Sequence, residues 1–201
     1  MKVYYKIFAA MALAVLMVLP IAGMAGGNHN TVNKSIRIDD NSTTGKIDSV
    51  NGSIRIGANS FVKSIDSVNG SIELGKAVTV DGGVDAVNGA IKIQSGSQVG
   101  DDVETVNGGI RLENTSVAGD VRTYNGQLRI LQGSEVTGNV VVRKSKGWSS
   151  NKRRKPVRVE IGEDVIIHGD LIFEHAVELK LHDSARVGEI IGDEVEMAGT
   201  Y

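Results

Sequence analysis

A seven-residue pattern recurs six times along the chain at a nearly constant spacing, and it constrains the fold more than any other feature. Each copy has an Asn, followed by Gly in five of the six, with apolar residues three and five positions after the Asn. Successive Asn residues are 18, 18, 19, 19 and 18 positions apart; they are Asn33, Asn51, Asn69, Asn88, Asn107 and Asn125. A steady period of this length is typical of solenoids, in which each repeat stacks on the one before it.

Three apolar clusters in every repeat predict three short β-strands. The first cluster lies four residues before the Asn, as at Ile47. The second is the apolar pair three and five residues after the Asn, as at Ile54 and Ile56. The third lies ten or eleven residues after the Asn, as at Val62. Glycines and small polar residues separate the clusters, so a helical 3.6-residue stripe does not form. The 25 glycines show no triplet period and accompany only 2 prolines, which excludes collagen.

Two all-β architectures accommodate this repeat. In an antiparallel β-meander, each Asn-Gly would be a two-residue hairpin turn. Asp48 would then face Arg55 favourably, whereas Asp66 would face Glu73 with the same charge. The third apolar cluster favours a single-stranded parallel β-helix, because a hairpin repeat needs only two strands per period. We therefore predict a β-solenoid of about eight coils of 18 to 19 residues, with the meander as the alternative.

The six Asn residues are expected to form a structural ladder at one corner of the coil. Coils of a parallel solenoid stack at about 4.8 Å, so identical side chains lie above one another. Each Asn amide can then hydrogen-bond to the amide of the next coil. The following Gly is expected to supply a positive φ at the corner. We assign the Asn-Gly pairs a structural role rather than a catalytic or sugar-binding one.

Three further rows of residues follow from the same alignment. An acidic row lies three positions before the Asn and contains Asp48, Asp66, Asp85 and Glu104. A mostly basic row lies four positions after it and contains Arg37, Arg55, Lys92, Arg111 and Arg129, interrupted by Glu73. An apolar row directly precedes the Asn and contains Val32, Val50, Val68, Val87, Val106 and Tyr124. The two charged rows are expected to face solvent. Strict alternation would point the apolar row outward, as a stripe suited to lateral association, but we expect the strand to bend at the corner and place this row in the core.

The N-terminal residues 1–25 have the layout of a secretory signal peptide. Lys2 and Lys6 precede an apolar run that ends at Pro20, and Gly23 and Ala25 place small residues before a cleavage point. The chain has no Cys, so it has neither a lipid-attachment Cys nor disulfides. We predict Sec-type export to the periplasm, the cell surface or the medium, with residues 26–201 forming the solenoid domain.

A basic segment at 143–156 interrupts the repeat and is predicted to be an enlarged corner loop. It carries seven basic residues, no acidic one and the only Trp; these eight residues are Arg143, Lys144, Lys146, Trp148, Lys152, Arg153, Arg154 and Lys155. Such a loop is a candidate site for an anionic partner, either a glycan or a lipid headgroup. The chain as a whole has a formal charge of −2, so we do not expect a nucleic-acid partner.

Beyond this loop the apolar residues recur every six positions, which predicts about two more coils and an end near Gly199. The six residues of this stripe are Ile161, Ile167, Phe173, Leu179, Ala185 and Ile191. His168, His175 and His182 are seven apart, which places them on different faces and does not favour a metal site. The sequence contains no nucleophile elbow, phosphate loop or identifiable pair of catalytic carboxylates, so we predict neither an enzyme nor a cofactor.

The motifs resemble two groups of bacterial proteins. The V-N-G-x-I-x-I repeat, with the Val-x-Gly-Asp/Asn-Val of Val117 to Val121 and Val136 to Val140, resembles adhesin-type β-solenoid domains of exported proteins. The stretch from Ile161 to Gly192, containing IGEDVIIHGDL, resembles bactofilins, which are polymer-forming proteins with a right-handed β-helix. The resemblance implies a right-handed scaffold that self-associates end to end.

Two functional classes follow from these observations. The first is a non-enzymatic structural or adhesive protein of the bacterial cell envelope that binds itself, an envelope glycan or another protein. The second is a carbohydrate-active enzyme on a β-helix scaffold, either lyase-like or similar to the hexapeptide acyltransferases. Short coils without the long loops that build a cleft favour the first class.

Overall fold

The computed structural model describes residues 26–144, 155–192 and 194–200, and within these ranges it is a β-solenoid of about eight turns. The predicted signal peptide and most of the predicted basic loop lie outside the described residues. The described residues contain no helix long and apolar enough to cross a membrane.

Twenty-three short strands make up the described part of the chain. They are β1 (His29–Thr31), β2 (Ile36–Ile38), β3 (Thr43–Asn51), β4 (Ile54–Ile56), β5 (Phe61–Asn69), β6 (Ile72–Leu74), β7 (Thr79–Val80), β8 (Val84–Asn88), β9 (Ile91–Ile93), β10 (Gln98–Val99), β11 (Val103–Thr105), β12 (Ile110–Glu113), β13 (Ser116–Val117), β14 (Val121–Thr123), β15 (Leu128–Leu131), β16 (Glu135–Val136), β17 (Val140–Val142), β18 (Val157–Ile161), β19 (Ile166–Ile167), β20 (Leu171–Phe173), β21 (Val177–Leu181), β22 (Ile190–Ile191) and β23 (Val195–Thr200).

The strands form three sides of a stacked coil, which confirms the solenoid and excludes the meander. Side 1 contains the first residues of β3 and β5, then β7, β10, β13, β16 and β19. Side 2 contains β1, the later residues of β3 and β5, then β8, β11, β14, β17, β20 and β22. Side 3 contains β2, β4, β6, β9, β12, β15, β18, β21 and β23. Within the described ranges every named strand pairing is parallel and joins the same position of neighbouring coils.

The interior is a thin column of Ile, Val and Leu, as the apolar clusters predict. Ile47, Ile54, Ile56 and Val62 come from the three sides of one region and are each no more than 1% exposed. Phe173 is the one aromatic side chain in the buried core of the described residues. On each short strand, inward aliphatic side chains alternate with outward ones, and the inward side chains are enough to fill so narrow a space.

Small residues line the inward face of side 2 on five consecutive coils, before the larger Val142 and Phe173 take the same position. The predicted inward positions two before the Asn are all buried; they are Ser49, Ser67, Ala86, Thr105 and Thr123. Two of the hydroxyls bond to the corner that follows: Ser49 Oγ donates to the Gly52 carbonyl (3.1 Å) and Ser67 Oγ donates to the Gly70 carbonyl (3.1 Å). Thr105 Oγ1 donates instead to the Gly89 carbonyl of the preceding coil (3.0 Å). These bonds satisfy both the buried hydroxyl and a corner carbonyl.

The expectation that the Asn-Gly glycines supply positive φ is wrong. Apart from Gly199 in β23, the described residues with positive φ lie at another corner, between sides 3 and 1, as do Asn59 (55°), Ala77 (54°) and Gly96 (79°). The glycine of each Asn-Gly is required for close stacking instead, because a side chain on Gly89 would overlap the Gly70 carbonyl below it. Gly108 stands in the same relation to Gly89. The corner is therefore limited by the distance between coils and not by backbone handedness.

The C-terminal coils continue the column as predicted, but the last one is open. Ile161, Ile167, Phe173 and Leu179 are buried, whereas Ile191 is 42% exposed. Ile190 and Met197 are likewise exposed, at 39% and 50%. Among the described residues, β22 and β23 are each paired along one edge only.

Candidate functional surfaces

The acidic row lies on side 2, in register from coil to coil. The strand pairing aligns Asp48 with Asp66, Asp66 with Asp85, and Asp85 with Glu104. The next position in the row is Arg122. The row therefore presents carboxylates on consecutive coils at the spacing of neighbouring strands.

Two ionisable groups, one beside the acidic row and one within it, have shifted pKa values. Lys46 Nζ lies 3.0 Å from Asp48 and 2.7 Å from Asp66, and these carboxylates raise the pKa of Lys46. Asp85 has no ion pair among the described residues. Partial burial, followed by the charges of Asp66 and Glu104, raises the pKa of Asp85 to about 6. Negative charge is thus compensated at the N-terminal end of the row and uncompensated at Asp85.

Arg122 closes the row in a compact ionic cluster. Its guanidinium donates to Asp102 and, over 2.6 Å, to Asp120, while Glu104 lies 3.8 Å away. Burial alone would raise the pKa of Asp102, but the Asp120 backbone N–H and Arg122 together lower it below its usual value. Burial would likewise lower the pKa of Arg122, and the same two aspartates raise it. The Arg122 side chain is only 19% exposed, and this cluster ties two neighbouring coils together.

The apolar row before the Asn does not enter the core, and the expectation of burial is wrong. Val32 is 62% exposed, and Val50, Val68 and Val87 are each 40% or 41% exposed. Strands such as β3 and β5 continue as far as the Asn, so the alternation of inward and outward side chains is kept through the valine. We call these residues, with the partly buried Val106 and Tyr124, the valine row.

The acidic row and the valine row border a shallow groove along side 2. Its volume is about 310 Å³, and its floor is formed by the small residues Ser49, Ser67 and Ala86. One wall is formed by carboxylates and the other by valine methyl groups. An occupant of this groove would have to offer both a cationic group and an apolar or closely approaching surface.

The asparagine ladder borders the valine row at the corner between sides 2 and 3. Each Nδ2 donates to Oδ1 of the preceding Asn over 2.9 to 3.0 Å, from Asn125 through Asn107, Asn88, Asn69 and Asn51 to Asn33. The side chains are exposed, so the ladder is an external seam. Its regular amide pairing fixes the register of six coils.

The basic row lies on side 3, also in register. The pairing aligns Arg37 with Arg55, Lys92 with Arg111, and Arg111 with Arg129. Several members have partners on the same rod: Arg55 contacts Glu73 (3.0 Å), Arg111 contacts Glu113 (2.5 Å) and Arg129 contacts Glu160 (2.7 Å). Lys92 and Arg129 remain 47% and 45% exposed. The row is therefore an accessible cationic stripe that is partly neutralised on its own side.

A second concavity of about 610 Å³ lies between sides 3 and 1 on the first coils. It is lined by charges of both signs, among them Arg37, Arg55, Asp39, Asp40 and Glu73. Asp40 is used within the corner, where its Oδ1 accepts the Ala58 backbone N–H over 2.8 Å. Mixed and partly satisfied charges make this concavity less selective than the groove on side 2.

The predicted basic loop replaces the Asn-Gly corner of its coil. It follows β17 on side 2 and precedes β18 on side 3, the same two sides that the asparagine ladder joins elsewhere. Arg143, Lys144 and Lys155 are exposed. The remaining predicted loop residues, Lys146, Trp148, Lys152, Arg153 and Arg154, lie outside the described residues, so their role in binding an anionic partner stays a prediction.

The three histidines make separate contacts. His168 lies 2.7 Å from Glu135, the ring of His175 contacts the Ala176 carbonyl, and the ring of His182 contacts Ser184. In the part of the chain that the structure describes, no three His, Cys, Asp or Glu side chains are grouped to hold a metal ion.

Sequence reasoning missed a second polar seam, at the corner between sides 1 and 2. Asp102 accepts the Asp120 backbone N–H (2.7 Å), and Asp120 accepts that of Asn139 (2.7 Å). Asn139 in turn accepts the N–H of Asp170 (2.9 Å), which accepts that of Glu189 (2.9 Å). The Gly-Asp/Asn step of the Val-x-Gly-Asp/Asn-Val motif is the signal that predicts this seam, because a short acceptor at a corner can reach the next coil.

Comparisons with protein-family models, with curated proteins and with solved structures gave no match to this chain.

Proposed function

We propose that this chain is a non-enzymatic structural or adhesive β-solenoid of the bacterial cell envelope that associates with itself. The observation that carries the proposal is the open C-terminal end, where Ile190, Ile191 and Met197 are exposed beside unpaired strand edges. Such edges and apolar side chains are favourable sites for addition of another chain. The regular outward rows of the three sides supply further repeated surfaces.

Export to the envelope is the second part of the proposal. Residues 1–25 act as the Sec-type signal, and the exported solenoid takes its stability from coil stacking without disulfides. A rod of about eight coils is on the order of 40 Å long, a suitable length for a spacer or a subunit of a larger assembly. The adhesin-type and bactofilin resemblances are consistent with this scaffold role.

The basic loop is proposed to contact anionic glycan or lipid headgroups. The loop joins β17 to β18, the two sides that the asparagine ladder joins in other coils. Replacing Arg153, Arg154 and Lys155 by Gln is expected to weaken retention of the protein on anionic vesicles or on an acidic polysaccharide. Unchanged retention would indicate that the loop is only a solvated insertion.

Sedimentation velocity across a concentration series tests the main proposal. We expect oligomers that grow with protein concentration, together with no cleavage or acylation of acidic glycans. Protein that stays monomeric at every concentration and turns over a sugar polymer would contradict the proposal and support the carbohydrate-active class. Electron microscopy of the same samples would then show whether the oligomers are elongated.

A further inference from the structure

Sides 2 and 3 carry outward charge rows with the same repeat and opposite sign. Asp66, Asp85 and Glu104 occupy three consecutive coils of side 2. On side 3, three consecutive coils carry the cationic residues Lys92, Arg111 and Arg129. Both rows have one charge per coil at the strand spacing of about 4.8 Å. Because both repeats come from one chain, two copies side by side can keep the rows in register.

The sign reverses at the next position of both rows. Arg122 follows Glu104 on side 2, and Glu160 follows Arg129 on side 3. The two patterns are therefore complementary at these four steps, whereas the same register places Asp48 opposite Glu73, a like-charge pair at the N-terminal edge of the contact. The side 2 pattern begins at Asp66, and the side 3 residue that follows it along the chain is Glu73. The side 3 pattern begins at Lys92, one coil later, so it is displaced by one coil toward the C-terminal end relative to the side 2 pattern. Two parallel rods offset by one coil bring the two patterns together.

The valine row selects the parallel orientation of the rods. When two rods of the same hand lie parallel, the strands that face each other across the contact run in opposite directions. If an acid of one copy faces a base of the other, the residue two positions after the acid therefore faces the residue two positions before the base. These facing pairs are Val68 with Ala90, Val87 with Gly109, and Val106 with Gln127. In two of the three pairs the facing side chain is small or absent, which lets the exposed valine approach the backbone of the other copy.

Antiparallel rods are less favourable at the same surfaces. The valines would then face the residues two positions after each base, which include Glu113. Val87 would lie against the Glu113 carboxylate, which forms an ion pair with Arg111 on its own rod. Contact between the side 2 faces of two antiparallel copies would place the acidic rows against each other, and like charges in a contact are costly.

We propose that side 2 of one copy docks laterally on side 3 of a second copy, with the rods parallel and offset by one coil. The acids from Asp66 to Glu104 face the bases from Lys92 to Arg129, and the valine row covers the small residues beside those bases. The contact is heterologous, because it joins two different surfaces. In a pair, one copy keeps a free side 3 and the other a free side 2, so further copies can add to form an open lateral array. A contact over four coils is small, so one pair binds weakly and the array gains by repetition. This inference rests on the self-association of the proposed function and names the surfaces that carry it.

Charge exchange between Asp85 and Arg111 tests the contact. Asp85→Lys alone and Arg111→Glu alone each place like charges opposite one another and are expected to weaken association at least about tenfold. The double variant Asp85→Lys/Arg111→Glu restores opposite charges and should associate nearly as well as the unchanged protein. The matched control is Asp85→Lys/Arg55→Glu, which has the same net charge. In the proposed offset Arg55 faces no acid of the other copy, so we expect this double variant not to restore association.

The valine row has its own test, which leaves every charge unchanged. Val87→Asn removes methyl groups at the centre of the contact, whereas Val32→Asn makes the same change in the first coil, outside it. We expect only the Val87 variant to associate more weakly. Circular dichroism and thermal midpoints identify any variant whose fold has changed before association is compared.

Sedimentation velocity at low ionic strength gives the readout, and added salt should weaken the contact. Unchanged association in the Asp85, Arg111 and Val87 single variants would overturn the lateral contact while leaving end-to-end self-association intact. Equal restoration by the Arg55 and Arg111 double variants would overturn the one-coil offset. If the unchanged protein is monomeric at every concentration, both the contact and the self-association of the proposed function are wrong.

Discussion

Asn88 Nδ2 donates a 2.9 Å hydrogen bond to Oδ1 of Asn69, which lies 19 residues earlier and one coil below. The same bond recurs at four other steps of the ladder. Each amide therefore donates downward and accepts from above, which a carboxylate of the same length cannot do. The ladder thus depends on a group that both donates and accepts.

Replacing Asn88 by Asp is expected to destabilise the fold by about 1 kcal/mol, because a carboxylate cannot donate to Asn69. Asn33→Asp is the matched control, since Asn33 accepts from Asn51 and has no earlier ladder residue to donate to. The difference between the two variants is read from urea denaturation midpoints. Equal losses would show that charge, and not the donated bond, governs the effect.

Gly89→Ala is expected to lower stability by about 1 to 3 kcal/mol or to prevent folding, because its methyl group would overlap the Gly70 carbonyl. Gly27→Ala serves as control, since no atom lies within 4 Å of the added carbon there. Thermal unfolding followed by circular dichroism measures both. A stable Gly89 variant would mean that neighbouring coils can move apart at this corner.

The corner between sides 3 and 1 offers a reciprocal pair of substitutions. Ala77 has a φ of 54°, and the equivalent residue of the next coil is Gly96, with a φ of 79°. A left-handed conformation costs an L-residue about 1 to 2 kcal/mol, a cost that Gly does not have. Gly loses more conformational entropy on folding than Ala, which offsets part of this gain. Ala77→Gly should therefore raise stability by about 0.5 to 1 kcal/mol.

Gly96→Ala should lower stability by a similar amount, and its added carbon has room, since the nearest atom is 3.7 Å away. Denaturant midpoints of the two variants and of the exchanged double variant provide the measurement. A rise in stability for Gly96→Ala would contradict the backbone explanation.

Asp85 is expected to make stability depend on pH. Its folded-state pKa is raised to about 6, above the unfolded value near 3.8, so the folded state holds its proton more tightly. Stability should therefore fall as the pH rises from about 4 to about 6 and then level off.

Asp85→Asn removes this dependence, so the variant should be more stable than the unchanged protein above pH 6, with the difference shrinking toward pH 4. Asp48→Asn is the control, because Lys46 already compensates that carboxylate. Thermal midpoints across this pH range test the expectation. A gain that is independent of pH would argue against a raised pKa at Asp85.

Residue spacing predicted most of the architecture. The period of the Asn residues and the three apolar clusters around Ile47, Ile54 and Val62 imply three strands per coil, and parallel stacking then places equal residues above one another. The inward small residues Ser49 and Ser67 and the register of the charged rows follow from the same alternation. These properties depend on local periodicity, which the sequence records directly.

The corners could not be predicted in the same way. Whether Val50 and Val68 face solvent depends on how far β3 and β5 continue before the chain turns, and that point is fixed by packing between coils. The requirement for Gly89 likewise arises from the Gly70 carbonyl of another coil, which is remote in sequence. The Gly-Asp/Asn motif marks the seam through Asp102 and Asp120, but which backbone N–H each side chain reaches depends on how the neighbouring coils stack.

The sequence by itself determined the repeat length, the strand count per coil, the aliphatic core and the composition of each outward row. Only the tertiary structure decided that the valine row is exposed, that its groove shares a wall with the acidic row, and that the last coil leaves Ile191 and Met197 uncovered. The physical reason is that periodicity specifies which residues are equivalent. Exposure and proximity depend on where the chain turns and on which coils lie above and below.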